Sequence, residues 1–408
     1  MKSLDVAIAG AGPGGLAAAL LLGRAGHRVR LVERFERPQP VGSGLMLQPT
    51  GLAVLKALGL YQAIRQLGAP VDRLVGTDAK SGRTVLDVGY GPLGPGVHAL
   101  GVHRSALFKV LHDAVVEARL PIRSGYTVAG LQRDQGKSWL LSPQGLEGPF
   151  DLVVDALGAQ SPLKPLARSP GRVRPLEYGA IWGTTPWTDA GFDRQALTQR
   201  YRASSVMIGV LPIGRTTPSG PDLAAFFWSL KPADHAILVQ RGFPAWRQSV
   251  EAHWPAAAPH LDALGGFEAM NLARYQHHTL PVPAGDGIVF IGDSAHSTSP
   301  QLGQGANMAL LDALALARAL DAADSINEAL ERYVAVRRWH VRLYQLLSLT
   351  LTPFYQSDSA IMPVLRDMLV GSVARVPPMP MVLAKMVAGQ LLSPLKAIGL
   401  DPRLQGEA

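Results

Sequence analysis

Apolar and polar positions follow two different rhythms along this chain. Near the start, Asp5 and the short apolar run Val6-Ala7-Ile8-Ala9 are followed, across a glycine-rich turn, by Leu16-Ala17-Ala18-Ala19-Leu20-Leu21-Leu22. The pattern predicts a buried strand, a tight turn and a helix. Residues 6–23 carry no charge, but their glycine density and Pro13 argue against a leader or a membrane span. Gly26 ends the helix, His27–Val32 predicts a second strand, and Glu33 closes it. Far along the chain, the same grammar returns. Ile288-Val289-Phe290-Ile291 leads into Gly292-Asp293, a loop holds Pro300, Gly303 and Gly305, and then Ala306, Ala309, Leu310, Ala313, Leu314, Ala317 and Leu320 recur at helical spacing. Between these ends, Leu74–Thr77 and Thr84–Val88 around Ser81-Gly82 predict a hairpin. The runs 178–186, 199–212 and 223–230 predict further strands of a mixed sheet.

Chemistry enters at the turns. Gly10, Gly12 and Gly15 fill the pattern G-x-G-x-x-G between strand and helix. There they allow the tight turn, the approach of a pyrophosphate and close helix–strand packing. Glu33 follows Gly15 at close to the separation expected for an acid that binds adenosine ribose hydroxyls, and Arg34 comes next. An adenine dinucleotide is expected. In the second unit, Asp293 is an acceptor suited to a ribityl hydroxyl. Gly303, Gly305, Ala306 and Asn307 open a bare helix end whose N–H groups and partial positive charge suit the N1–C2=O edge of a reduced flavin.

Together these ends resemble the FAD-dependent aromatic hydroxylase family, the flavoprotein monooxygenases of p-hydroxybenzoate hydroxylase type, over about residues 4–345. Gly42–Leu52 resembles the family's loop beside the flavin, His103-Arg104-Ser105 its flavin-contacting arginine, and Leu330–Tyr333 its late helix. The resemblance implies an α/β fold: a Rossmann-like FAD-binding domain, an inserted mixed β-sheet substrate domain and a helical C-terminal tail. It also implies a monooxygenase that hydroxylates an aromatic or quinone-like hydrophobic small molecule with O2 through a flavin C4a-hydroperoxide. In that scheme Arg104 holds the ribityl–phosphate region and Pro300 shapes the loop over the ring. The family's third motif departs from pattern: its Asp is replaced by Leu157 and its Arg by Lys164, and Gly42-Ser43-Gly44 lacks a loop arginine as well. Losing both charges costs less than stranding one. FAD binding is therefore expected to survive, while direct reduction by NAD(P)H is left open and a separate flavin reductase becomes a candidate partner. Asp155 could replace the missing acid only by a register shift, which would flip its face.

The expected domains are FAD-binding over 1–70, 98–175 and 275–342, substrate-binding over 71–97 and 176–274, and a helical segment over 343–408. Leu45, Leu47, Tyr201, Met207, Phe227 and the loop Ser299–Gly303 are candidate pocket walls, with core packing as the alternative for each. His296, His103 and Tyr201 are candidate bases, His296 more readily as a brace for its loop. The 408 residues contain no cysteine, which excludes disulfides, iron–sulfur ligation and a cysteinyl flavin. No metal-ligand spacing occurs, and His277-His278 is expected at a strand end or loop. The charge of +8 is scattered apart from Arg337-Arg338-Trp339-His340-Val341-Arg342, expected to be a solvated helix face. No nucleic-acid module is present. The longest uncharged tail run, Leu343–Ser357, contains Pro353 and is too short and broken to span a bilayer. The tail either caps the pocket as core or presents apolar helices to a membrane surface. The expected location is accordingly cytoplasmic, with peripheral membrane contact left open. Two other functions remain: a flavin oxidoreductase without oxygen insertion, and a flavoprotein acting in maturation of a partner protein.

Overall fold

The computed structural model describes residues 2–37, 42–374 and 376–401, with backbone alone for 369–373. The first strand, Asp5–Ala9, pairs in parallel with Arg28–Val32 on one side and Leu152–Asp155 on the other. Ile288–Phe290 adds in parallel beyond Leu152–Asp155, and Ile122–Arg123 beyond Arg28–Val32; Ala284–Gly285 closes one edge antiparallel. Alternation divides the first strand between two cores. Val6 and Ile8 pack with the helices Pro13–Arg24, Arg104–Glu117 and Gly305–Asp321, while Ala7 and Ala9 face Tyr126, Leu140, Phe150 and Phe290. Both faces are covered, as a parallel sheet requires. Each fully buried leucine on the first helix contributes about 1.5–3 kcal/mol.

The second body is a seven-stranded sheet in the order Met270–Ala273, Gly179–Pro186, Leu223–Leu230, Val206–Gly214, Ala196–Arg202, Arg73–Asp78 and Thr84–Gly89. All its pairings are antiparallel except Ala196–Arg202 with Arg73–Asp78. One face buries Ile181, Phe226 and Trp228 beneath the helices Phe243–His253 and Ala258–Leu264. That helical layer went unread in the sequence, although Trp246 and Val250 already show the i, i+4 spacing. The opposite face carries Trp182, Phe227, Met207 and Tyr201.

A 30-residue helix, Ile326–Tyr355, packs along Gly305–Asp321, so the boundary expected at 342/343 falls inside continuous helix. Beyond it the tail divides between the two expectations. Ala384, Val387, Leu395, Ile398 and Leu400 are buried against both bodies, whereas Ile361, Val364 and Met368 are 57–67% exposed. Residues 402–408 of the expected tail lie outside the described residues. Among the described residues, no helix is long and apolar enough to cross a membrane, and no group of His, Asp or Glu could hold a metal ion.

Candidate active site

The first turn needs its glycines. Gly10 has φ +103°, and a Cβ there would stand 2.5 Å from the Ala156 carbonyl oxygen; a Cβ at Gly15 would lie 2.0 Å from the Gly10 oxygen. At Gly12 nothing lies within 4 Å of such a Cβ, so open space remains on the side where a phosphate would sit. The helix starting at Pro13 has no side-chain cap, which leaves its first amides for a ligand. Glu33 accepts a 2.8 Å bond from the Ala11 amide and one from the Phe35 amide, and shares a pocket with Phe35, Phe108, His112 and Ser124. Arg34 is exposed and stacks over the Phe35 ring.

At the second turn, Gly292 (φ +61°) precedes Asp293, whose carboxylate opens to the cleft and makes no hydrogen bond to a described residue. Protein crowds it from behind. Desolvation therefore pushes its pKa up despite the cationic groups of Arg104 and Lys164 nearby. A Cβ at Gly305 would lie 3.9 Å from Asp293 Oδ1, so carboxylate and helix end are neighbours. That helix also lacks a side-chain cap, and its first bonded amide is Met308 to the Gln304 carbonyl. Gly305, Ala306 and the backbone of Asn307 thus keep free amides beside an unpartnered acid. The Asn307 side chain is fully engaged: its Oδ1 accepts from the Gln48 amide and its Nδ2 donates to the Met46 and Gly303 carbonyls. Expected on the cofactor, that amide instead ties the helix to the strand Gly44–Leu47. Arg104 is exposed in the same cleft, and its Cδ would be 2.9 Å from a Cβ at Gly42. The bare loop there leaves room for this side chain.

The third motif closes the far side. Asp155 ends its strand fully buried, accepting from the Leu157 amide and the Ser161 hydroxyl, and burial raises its pKa to about 6. It holds its own loop and does not replace the missing acid. Ala156 lies under Gly10 and Gly15, and Leu157 is half-buried beside the same turn. Lys164 donates to the Ala159 carbonyl.

Several side chains fall elsewhere than expected. Leu47 is buried in the core of the cofactor body and Leu45 packs against it, because odd positions of this strand point inward. Met46, one residue along, faces the second sheet and the Gly303 loop. Tyr201, Met207 and Phe227 do come together, joined by Trp182, whose ring is 4.5 Å from that of Phe227. Trp182 Nε1 donates to the Tyr275 hydroxyl, which burial pushes up to about 12. The Ser299–Gly303 loop is pinned by Ser299 to Ser348 and Thr352 of the long helix.

None of the three candidate bases is arranged as a free base. His296 Nε2 lies 2.6 Å from Asp312 Oδ2 in the interior, away from the cleft. Asp312 also accepts from the Gly292 amide and from Arg337 Nε. Arg337 Nη1 donates to His340 Nδ1, and His340 Nε2 donates to the Gly389 carbonyl. Burial and Arg337 push His340 down to about 3, so its imidazole is neutral with one donor and one acceptor nitrogen. The expected solvated face therefore buries Arg337 and His340 and exposes Trp339 (65%). The repeat Tyr333, Arg337, His340, Tyr344 could have disclosed this inward stripe. His103 caps the helix Arg104–Glu117 through Nδ1, and its pKa is lowered by burial and by Arg104. Tyr201 is a poor base, since burial holds its phenol well above the ordinary range.

The donors, acceptors and space present at both turns fit FAD. Residues 3–140 and 240–344 match the model of the family described as FAD binding domain. The chain is 32% identical over 321 residues to 6-methylpretetramide 4-monooxygenase of Streptomyces rimosus, covering 76% of this chain and 73% of that one. It is 27% identical to a probable 2-heptyl-3-hydroxy-4(1H)-quinolone synthase, AqdB2, of Rhodococcus erythropolis, over 83% and 85% of the two chains. Among solved structures, Klebsiella pneumoniae HpxO complexed with FAD and uric acid superposes with a TM-score of 0.80 at 20% identity, covering 95% of this chain and 98% of that one. The chain belongs to the FAD-dependent monooxygenases of p-hydroxybenzoate hydroxylase type.

Proposed function

We propose that the protein inserts one oxygen atom of O2 into a planar aromatic or quinone-like hydrophobic molecule held between the cofactor cleft and the aromatic face of the seven-stranded sheet. The observation that carries this reading is the cluster of Trp182, Phe227, Tyr201 and Met207 on the sheet face opposite the helical layer. The related enzymes' names speak of a 6-methylpretetramide and a 2-heptyl-3-hydroxy-4(1H)-quinolone, and a quinolone's planar ring matches such a wall. The division into FAD-binding residues 1–70, 98–175 and 275–342 and substrate-binding residues 71–97 and 176–274 belongs to this reading, with the tail 343–408 continuous with the FAD-binding part through the helix Ile326–Tyr355; the strands of the large sheet have their residues in the second group.

Bound FAD supplies the electrons and the activation of O2. The chain's residues do the rest. The open turn at Gly12 and the helix end behind it would hold the phosphates, and Glu33 the ribose hydroxyls. Asp293 would accept from the ribityl chain, Arg104 would offer a cation to it, and the free amides of Gly305–Asn307 would donate to the polar edge of the ring. Ser299, fixed to Ser348 and Thr352, holds the Pro300–Leu302 turn in place. The apolar wall excludes water.

Reduction of the flavin through a separate reductase is part of the proposal, because Leu157 puts no charge beside the dinucleotide turn. The test is anaerobic mixing of holoprotein with NADH or NADPH, with and without quinolones and fused polycyclic phenols, followed by turnover under 18O2. Incorporation of one labelled oxygen supports the oxygenase reading. Oxygen consumed only as hydrogen peroxide, with every ring and with supplied reduced flavin, overturns it. Rapid bleaching by NADH or NADPH overturns indirect reduction alone. A separate assay addresses the 343–408 segment: flotation of the holoprotein with anionic vesicles is expected if Ile361, Val364 and Met368 touch a membrane surface.

A further inference from the structure

Two buried polar side chains and a half-buried one lie at one end of the aromatic wall, apart from the residues placed on the cofactor. Tyr201 is 1% exposed, yet its hydroxyl makes no hydrogen bond to a described residue. Tyr355, the last residue of the long helix, stands with its ring centroid 5.5 Å from that of Tyr201, and its hydroxyl makes none either. Arg366, from the helix Met362–Val373, is 2% exposed, and its guanidinium carbon lies 5.4 Å from the Tyr201 ring and 5.8 Å from the Tyr355 ring. Part of that guanidinium has a structural task. Nη1 donates to the carbonyls of Ala203 and Phe354, and Nε donates to Asp367 at the surface. Nη2 is buried and has no partner among the described residues.

A buried N–H of a cation without an acceptor costs free energy, and the two hydroxyls beside it have donors to spare. Burial holds the Tyr201 phenol well above its ordinary range and raises that of Tyr355, so both stay protonated donors at neutral pH. The three groups therefore offer donors and one permanent positive charge, and their common complement is an anionic oxygen. Tyr201 and Tyr355 also belong to, or pack on, the cluster that contains Phe227 and Met207, so such an oxygen would sit at the edge of a ring lying on that wall.

We infer that Tyr201, Tyr355 and Arg366 form an oxyanion subsite that selects aromatic substrates carrying an ionised oxygen, a carboxylate or a phenolate, at the ring edge remote from the oxygenated position. This rests on the reading of the aromatic wall as the substrate site. It also gives the tail a role in specificity, because two of the three groups come from beyond residue 342.

The test is calorimetric titration of holoprotein with two matched pairs: 2-naphthoate against 2-naphthamide at neutral pH, and 4-nitrophenolate against 4-nitroanisole at mildly alkaline pH. The subsite predicts that the anion of at least one pair binds roughly 10- to 100-fold tighter than its neutral partner, the range of one charge-assisted hydrogen bond. The pair that shows it identifies the oxygen. Arg366→Met should bring that ratio to about one while the neutral ligand's Kd and the FAD content stay put, and Arg366→Lys should keep part of it. If Arg366→Met fails to fold, Tyr201→Phe/Tyr355→Phe must lower the ratio about tenfold, since it removes only two hydroxyl oxygens. No anion preference in either pair, no binding of any of the four, or an undiminished ratio in the variants overturns the inference. Binding is read without turnover. A protein that discriminates but inserts no oxygen sinks the proposed reaction alone, and one that hydroxylates rings without discriminating sinks only the subsite.

Discussion

Changing Asp312 to asparagine removes a negative charge at a point where three donors meet. Oδ1 accepts from Arg337 Nε at 2.7 Å, and Oδ2 accepts from His296 at 2.6 Å and from the Gly292 amide at 2.9 Å. Asp312 is fully buried and Arg337 is 2% exposed. Burial acts to raise the Asp312 pKa, but His296 and Arg337 overcome it and hold the carboxyl well below the usual range. With the folded value depressed, the stabilisation is complete above the ordinary carboxylate pKa of about 4 and is lost only as the pH falls through the folded value. Asparagine offers one oxygen and one amino group, so whichever way it turns, a donor faces a donor. The stranded Arg337 charge should cost about 3–5 kcal/mol, a large part of the roughly 5–15 kcal/mol that keeps a protein folded. Replacing both partners, as Asp312→Leu/Arg337→Met, removes the charge and its stranding together. Its cost should fall at least about 2 kcal/mol short of the sum of the single changes. Urea denaturation of the apo and FAD-loaded forms measures both quantities. Because Gly292 leads directly into Asp293, Asp312→Asn should also weaken FAD binding by about tenfold, or ~1.4 kcal/mol. A loss under about 1 kcal/mol for Asp312→Asn, or additive single changes, would refute the account of a mutually dependent buried network.

Asp293→Asn should weaken FAD binding roughly 10- to 100-fold, by loss of a charge-assisted acceptor, in a fluorescence titration. The same change should raise apo-protein stability at neutral pH and leave it unchanged in acid, because an acid whose folded pKa is raised withdraws stability as the pH climbs above its unfolded value. Asp155, raised to about 6, withdraws up to about 3 kcal/mol between roughly pH 4 and 6. Asp155→Asn should flatten that part of a stability–pH curve, and an unchanged slope would assign it to other groups. Gly15→Ala places a methyl 2.0 Å from the Gly10 oxygen and should abolish FAD retention on gel filtration; a yellow, stable variant would contradict the close packing described.

The cofactor half was legible because its signals are local. A strand, a positive-φ glycine and a helix in close succession dictate one another's geometry, so Gly10–Gly15 and Gly292–Gly305 could be placed without knowing what packs on them. Family resemblance then supplied the flavin, and the family model agrees over both ends of the chain. The site's second half was read less well. In the strand Gly44–Leu47 the expected wall residues Leu45 and Leu47 face the core of the cofactor body instead, because Leu45 and Met46 are equally apolar and only the neighbouring bodies decide which way each points. Asn307 and His296 sit in a motif that suggests ligand contact, and their side chains are instead taken up by Gln48, Met46, Gly303 and Asp312.

The strand–turn–helix units, the open helix ends and the acids beside them follow from local sequence, since backbone stereochemistry and hydrophobic periodicity act over a few residues. Tertiary structure decided which polar groups are spent on the fold and which remain for a ligand. Arg337 is buried against Asp312 of the preceding helix, and Arg366 is buried beside Tyr201 of the distant sheet. An arginine's charge is the same in any sequence, and what it does follows from the acceptors that distant segments bring within about 3 Å of it.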